Sequence, residues 1–252
     1  MIKIIRGNEP DVLIANKVTW TQGLLDEVEK YQGYDNIPDD IKKKVTSHYR
    51  NEHIKNVLFS TSHDKCAFCE CIPSEGGNYV QVEHFHPKSE YPSECFEWVN
   101  FLPCCGICNN NKGILDTKNV EILNPYDDEI EGAFSVSYLK ILPNAQNQKA
   151  INTEREISLN SDRLIVSRVG ILMKLQIQTE EIRQWIDVLL ESDTDRKYQI
   201  RINKLKDKIN TVEAFIKPEC SHSFFCSEII KDDIHYLKAK ELIEEYARVN
   251  MI

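Results

Sequence analysis

The chain has 252 residues and carries 31 Lys and Arg against 40 Asp and Glu, a net charge of −9 with His neutral. That balance excludes a generally basic, DNA-coating protein, and 41% hydrophobic with 28% charged residues excludes a disordered chain and suits one domain or two small ones. No apolar run reaches the roughly 20 residues of a bilayer-spanning helix, and Met1-Ile-Lys-Ile-Ile-Arg6 lacks the apolar stretch of a secretory signal, so a cytoplasmic location is expected.

From Asp11 to Ser60 the pattern is helical. Val12, Leu13, Trp20, Leu24, Leu25 and Val28 recur at three- and four-residue spacing, with a break at Gly33 to Pro38. A second helix is expected from Asp39 through Val57, its start marked by Pro38 and the acidic pair Asp39 and Asp40. Residues 61 to 118 change character, and short extended pieces fit better there. Tyr79 to Phe85 alternates as a strand, Trp98 to Leu102 is its expected partner, and Cys108 to Gly113 reads as a short helix. Phe134 to Tyr138 suits one arm of a hairpin. From Leu159 onward a long apolar stripe returns, from Leu164, Ile165 and Val169 to Ile186 and Leu189. A further helix is expected from Arg196 to Phe215, with Asp193-Thr-Asp195 as turn and N-cap of an αα-hairpin. Three segments follow: helices over 1–60, a chemistry-bearing core over 61–124, and a helical region over 125–252.

Seven of the nine cysteines lie between positions 66 and 108, a crowding that favours metal chemistry over a disulfide scaffold. Cys66-Ala-Phe-Cys69 and Cys105-Gly-Ile-Cys108 are two C-x-x-C knuckles whose thiolates can close on one tetrahedral, structural Zn²⁺. Cys71 and Cys104 are neighbours that blur the choice of ligands, although only Cys105 keeps the two-residue gap to Cys108. With Cys95 they read as buried small hydrophobes. Between the knuckles sits Val82-Glu-His-Phe-His-Pro-Lys88. A carboxylate followed by a histidine at a strand end can put an oxygen on a divalent cation while the imidazole activates a water, the pairing that phosphodiester hydrolysis needs. Asn100 and Asn109, the latter directly after the last knuckle cysteine, complete a candidate constellation.

In this order these residues resemble the HNH endonuclease family, whose zinc-knuckle subgroup is similar to Cys105-x-x-Cys108-Asn109-x-x-Lys112-Gly113. Tyr49 ahead of His53 to Leu58, Lys65-Cys-Ala-Phe-Cys-Glu70, Glu83 to Ser89, Phe96 to Asn100 and Leu159-Asn160 extend the resemblance to the PtuB-like HNH component of Septu-type and retron-linked anti-phage systems, over roughly positions 10 to 170. The resemblance implies an α+β, mainly α fold: a ββα-metal, treble-clef-like core with a Cys₄ zinc knuckle, N-terminal helices and a C-terminal helical hairpin. It implies His84 as general base, Asn100 as the brace of the loop holding it, and Glu83 and Asn109 as ligands of a catalytic Mg²⁺ or Mn²⁺. An oxygen-rich site favours such an ion over catalytic Zn²⁺. Asn110 and Asn111 are rivals of Asn109 for the ligand role but are expected to cap the helix start, and Trp98 and Phe101 are expected to be core rather than base-stacking platforms. His86 is left between a metal ligand, a phosphate contact and a structural role, and Lys88 and Lys112 are the candidate nucleic-acid contacts.

Residues 61 to 118 hold four Lys against two Asp and six Glu, so this segment cannot grip a polyanion by its own charge. The basic face of Lys197, Arg201, Lys204 and Lys208 could meet nucleic acid, an acidic partner or only solvent. The resemblance implies an ABC/SMC-like, PtuA-like ATPase as partner, and the long C-terminal hairpin could dimerise the chain into a homo-oligomer or dock it on that ATPase as a hetero-oligomer. The expected function is a metal-dependent HNH endonuclease acting on DNA in anti-phage defence. A non-catalytic zinc-binding adaptor and an RNA-directed HNH nuclease are the alternatives.

Overall fold

The computed structural model describes residues 1–74 and 79–250. In chain order it contains α1 (Asp11–Lys30), α2 (Asp39–Thr46), α3 (Glu52–Ser60), β1 (Val80–His84), β2 (Phe101–Cys105), α4 (Gly106–Lys112), β3 (Phe134–Ser137), β4 (Lys140–Pro143), α5 (Gln148–Ile157), α6 (Asp162–Leu190), α7 (Asp195–Glu213), α8 (Ser223–Ile230) and α9 (Ile234–Asn250). The protein is mainly helical, with two small two-stranded sheets, β1 with β2 and β3 with β4. Two compact units form, one from residues 1–135 and 142–160, the other from 136–141 and 161 onward. Among the described residues no helix is long and apolar enough to cross a membrane.

In the first unit the helix expected over 39–57 is broken. A 3₁₀ turn occupies Ser47–Arg50, and Asn51, in an extended conformation, caps α3 by accepting a hydrogen bond from His53 N at 2.8 Å. An Asn at this point satisfies an otherwise orphaned N–H at a new helix start, so the chain restarts instead of continuing. Leu13, Leu24, Ile54, Leu58, Phe96 and Phe101 are buried here, as is Trp98.

The β1–β2 sheet is antiparallel, with Val80 opposite Cys105, Glu83 opposite Leu102 and His84 opposite Phe101. Its second strand starts later than the alternation suggests, because Trp98–Asn100 forms a 3₁₀ turn that leads into β2. α4 follows β2 directly, starting two residues before its expected place, and its end is fixed by Gly113. That residue takes φ +54°, the left-handed region that a side chain would strain.

The second unit is built on the α6–α7 hairpin. Thr194 caps α7 by accepting from Lys197 N at 3.3 Å. Leu175, Ile182, Ile186 and Leu189 of α6 pack with Ile202, Leu205, Ile209 and Val212 of α7, and with Phe225, Tyr236, Ala239 and Leu242 from α8 and α9. Burying one such aliphatic side chain contributes about 1.5–3 kcal/mol. Val169, expected on the buried stripe, is exposed.

Candidate metal centre and active site

The first knuckle is a tight turn in which Glu70 N donates to Cys66 O at 2.9 Å and Cys66 N donates to Cys71 O at 2.9 Å. The second knuckle spans the β2–α4 junction, where Cys108 N donates to Cys105 Sγ at 3.5 Å. The two meet because Ala67 N donates to Pro103 O of β2 at 2.8 Å, docking the first turn on the strand that carries the second. The Sγ atoms of Cys66, Cys69, Cys105 and Cys108 lie within 4.8 Å of one another, and all four residues are buried. Zn–S bonds of about 2.3 Å set sulfurs about 3.8 Å apart in a tetrahedron, so this donor set is consistent with zinc binding. Lys65 Nζ lies 3.2 Å from Glu70 Oε2, a buried ion pair that closes the first turn from behind. Cys104 is also close, its Sγ 3.9 Å from that of Cys66, but it does not join the group of four.

Alternation along β1 sends neighbouring side chains to opposite faces. Toward α4 point Gln81 and Glu83. Asn109 Nδ2 donates to Gln81 Oε1, and Lys112 Nζ donates to Glu83 Oε1 at 2.7 Å and to His84 O at 2.9 Å. Burial raises the Glu83 carboxyl above its ordinary value, while Lys112 and Lys88 oppose that shift.

His84 faces the other way. Its ring lies edge-on to Tyr49 and Phe101, with centroids 4.6 and 5.3 Å away. Its Nε2 is 2.9 Å from Cys95 O. A carbonyl oxygen only accepts, so Nε2 carries the hydrogen and Nδ1 keeps a lone pair. Burial, with Lys88 adding to it, pushes the imidazole pKa down to about 3, against the opposing hydrogen bond to Cys95. The ring is therefore neutral across the physiological range.

Asn100 ties the 85–100 loop to the sheet. Its Oδ1 accepts from His86 N at 2.7 Å, and its Nδ2 donates to His86 O at 3.0 Å and to Glu94 O at 3.1 Å. Phe85 N donates to Asn100 O at 2.8 Å. Thr117 Oγ1 gives its single hydrogen to Phe85 O at 2.8 Å, so at 2.7 Å from His86 Nδ1 it must accept, which leaves His86 Nε2 as the unprotonated nitrogen. His86 borders a cleft of about 510 Å³ that Glu94, Asn100, Lys118 and Lys149 also line.

Several expected roles meet different geometry. Lys112 is buried on Glu83 and is not at the surface, because a carboxylate inside the sheet–helix junction needs a cation beside it. Asn110 and Asn111 lie within α4 rather than at its start, and Asn111 Nδ2 donates to Ile157 O at 2.9 Å. Glu83 and Asn109 share a face, but Glu83 is paired with Lys112 and Asn109 with Gln81. Among the described residues no carboxylate or imidazole set beyond the four cysteines converges as a metal cluster. As they stand, these residues do not fit a resident Mg²⁺. The α7 basic face is largely used internally: Lys197 pairs with Asp193 at 2.9 Å, Lys208 with Glu181 at 2.6 Å, and Arg201 donates to Val188 O at 2.6 Å.

Sequence reasoning missed Cys95, which acts through its backbone carbonyl, and Thr117, which orients His86. No side-chain pattern announces a carbonyl, and a lone Thr carries no signal. It also missed Arg50 and Lys55, which border a groove reaching Asn109.

The molecule is thus a mainly helical α+β protein with a buried four-cysteine cluster consistent with zinc beside a β–β–α unit that holds a neutral histidine. No protein-family model matches the chain. It is homologous to the Septu protein PtuB of Bacillus thuringiensis, 28% identical over 251 residues that cover 96% of this chain and 87% of that protein. It is also similar to the Septu protein PtuB of Bacillus mycoides strain KBAB4, at 23% identity over 236 residues, 78% of this chain and 79% of that one.

Proposed function

We propose that this chain is a PtuB-type component of a Septu defence system and that it hydrolyses nucleic-acid phosphodiester bonds, DNA foremost, as an HNH-type endonuclease. The homology to the two PtuB proteins supports the defence role. The observation that carries the nuclease reading is the hydrogen bond from His84 Nε2 to Cys95 O, which leaves the lone pair on Nδ1 of an imidazole that burial keeps neutral. A general base must start unprotonated, which a pKa of about 3 ensures while lowering the basicity of the ring.

In the proposed step a water gives its proton to His84 Nδ1 as its oxygen attacks phosphorus. The P–O bond to the leaving oxygen breaks, and that oxygen takes a proton from solvent. Asn100 holds the loop that carries Cys95 and so is a positioning residue. Lys88, close enough to bias both Glu83 and His84, offsets charge on the phosphate. No step is routed through a divalent cation, since Glu83 and Asn109 have other partners.

With a net charge of −9, the chain is a weak unaided binder of a polyanion. We assign substrate affinity and control to a PtuA-like ATPase partner. The test is to incubate the chain, alone and with that ATPase, with plasmid, linear DNA and tRNA in Mg²⁺ or Mn²⁺. Cleavage of DNA is expected. Cleavage of tRNA alone would move the substrate class to RNA, and no cleavage under any condition would leave a zinc-binding adaptor.

A further inference from the structure

The acidic chain has one surface beside its candidate site where cations stand without carboxylates. Arg50, ending the 3₁₀ turn, and Lys55 on α3 border a groove of about 290 Å³ whose other walls include Tyr49, Tyr79, Gln81 and Asn109. Among the described residues neither cation makes an ion pair, nor does Lys88, whose Nζ lies 5.6 Å from the Tyr49 ring centroid. The Arg50 guanidinium lies 5.5 Å from the same centroid. Most other lysines and arginines of the chain are held by a carboxylate or a carbonyl, as Lys17, Lys118 and Lys149 are. Tyr79 stands at the rim 80% exposed, a large aromatic face turned to water just before β1. The groove is tied to the chemistry at two points: Asn109 lines it, and Tyr49, another wall, stacks edge-on against His84.

Arg50 Nε donates to the Tyr49 hydroxyl at 3.2 Å. Cations without carboxylate partners, an exposed aromatic face and a polar groove are the components that bind a single nucleic-acid strand. Cations follow the phosphates, and stacking on an aromatic ring tolerates any base. We propose that this groove holds the unpaired nucleotides next to the scissile phosphate, with Arg50 and Lys55 on backbone phosphates and one base stacked on Tyr79. The proposal rests on the nuclease reading and deepens it, giving the substrate a single-stranded segment at the site of the cut. A base can lie flat on Tyr79 only when it is out of the duplex. It also moves nucleic-acid contact away from α7 to the N-terminal helices.

The test uses the full chain, zinc-replete and without Mg²⁺ or Mn²⁺, with short fluorescein-labelled oligo-dT and oligo-rU, followed by anisotropy across a salt series. The wild type is expected to bind at low ionic strength. The pair Arg50→Ala with Lys55→Ala should flatten the log–log salt dependence by about 1.4, two phosphate contacts at roughly 0.7 each on a single strand. Tyr79→Ala should weaken binding about tenfold while Tyr79→Phe retains it, since the ring and not the hydroxyl stacks. Arg50 and Tyr79 are exposed and Lys55 is half-buried, so zinc content and helicity should match the wild type. The dT and rU arms tell DNA from RNA. Binding indifferent to every substitution overturns the proposal, as does failure of the wild type to bind. So does a loss with Arg50 and Lys55 that Tyr79→Ala does not share, which would mark a generic polyanion patch. Groove-dependent binding by a wild type that cuts nothing keeps the groove and removes the nuclease reading. Cleavage by a protein whose binding ignores the groove does the reverse.

Discussion

The tautomer of His84 is set by a backbone atom. Cys95 O fixes the hydrogen on Nε2, and Cys95 is held in turn through the loop that Asn100 gathers by three side-chain hydrogen bonds. Removing that amide leaves buried backbone groups of the loop without partners, and Asn100→Ala should cost about 2–3 kcal/mol in denaturant unfolding. A loss under 0.5 kcal/mol would mean that the loop is held by other contacts. The same burial that keeps His84 neutral makes the fold acid-sensitive. The folded imidazole has its pKa down at about 3, whereas in the unfolded chain it titrates near its ordinary 6.5. Above about 6.5 neither state is charged and nothing is lost. As pH falls toward 3 the unfolded state takes up a proton that the folded state refuses, and stability declines by up to about 1.4 kcal/mol per pH unit. Denaturant midpoints measured between pH 7 and pH 5 should fall, and fall less in His84→Gln; equal slopes would put the acid sensitivity elsewhere. At this scale the reading of the sequence was uneven. Order and spacing single out Glu83, His84, Asn100 and Asn109 as candidates. The partner that neutralises Glu83 is not singled out, since a lysine at a helix end gives no sign that its Nζ will be buried on a strand.

Between elements, the two knuckles are a joint between the turn after α3 and the β2–α4 corner. Cys104 and Cys105 both approach the other sulfurs, Cys104 Sγ lying 3.9 Å from that of Cys66, but the four that close within 4.8 Å of one another include Cys105 and not Cys104. Cys105→Ala should abolish zinc, measured by elemental analysis at one ion per chain in the wild type, and lower the unfolding temperature of the first unit. Cys104→Ala, which deletes only a buried small side chain, should retain the ion. The opposite pattern would reassign the fourth ligand. Spacing alone favoured Cys105, because two residues between thiols is what a knuckle turn requires. The helices were legible to different degrees for physical reasons. α6 and α7 repeat large aliphatic residues every three or four positions and Thr194 marks the restart, so both were foreseen. The break at Asn51 was not, because a capping Asn and a surface Asn look alike until the backbone turns. α5 and α9 bury residues such as Ala150, Asn152, Thr153 and Ala239, which a search for large apolar side chains passes over.

Across the whole molecule, the charge of −9 and the local cations of the Arg50–Lys55 groove belong together. Net negative charge overall, with cations free of carboxylates set around the Tyr49 ring that packs on His84, suits the proposed cutting of a strand delivered by a partner. The first unit carries the cysteine cluster, the histidine and the groove. The second is a helical assembly whose basic residues are mostly tied to their own acidic and carbonyl neighbours. The measurement that bears most directly on this account is the rate of plasmid cleavage by wild type and His84→Ala in preparations matched for zinc content, with the ATPase partner and Mg²⁺ or Mn²⁺ present. If the Nδ1 lone pair of His84 takes the proton from water, the variant should be slower by a factor of about 10²–10⁴. Equal rates in the two proteins would contradict it.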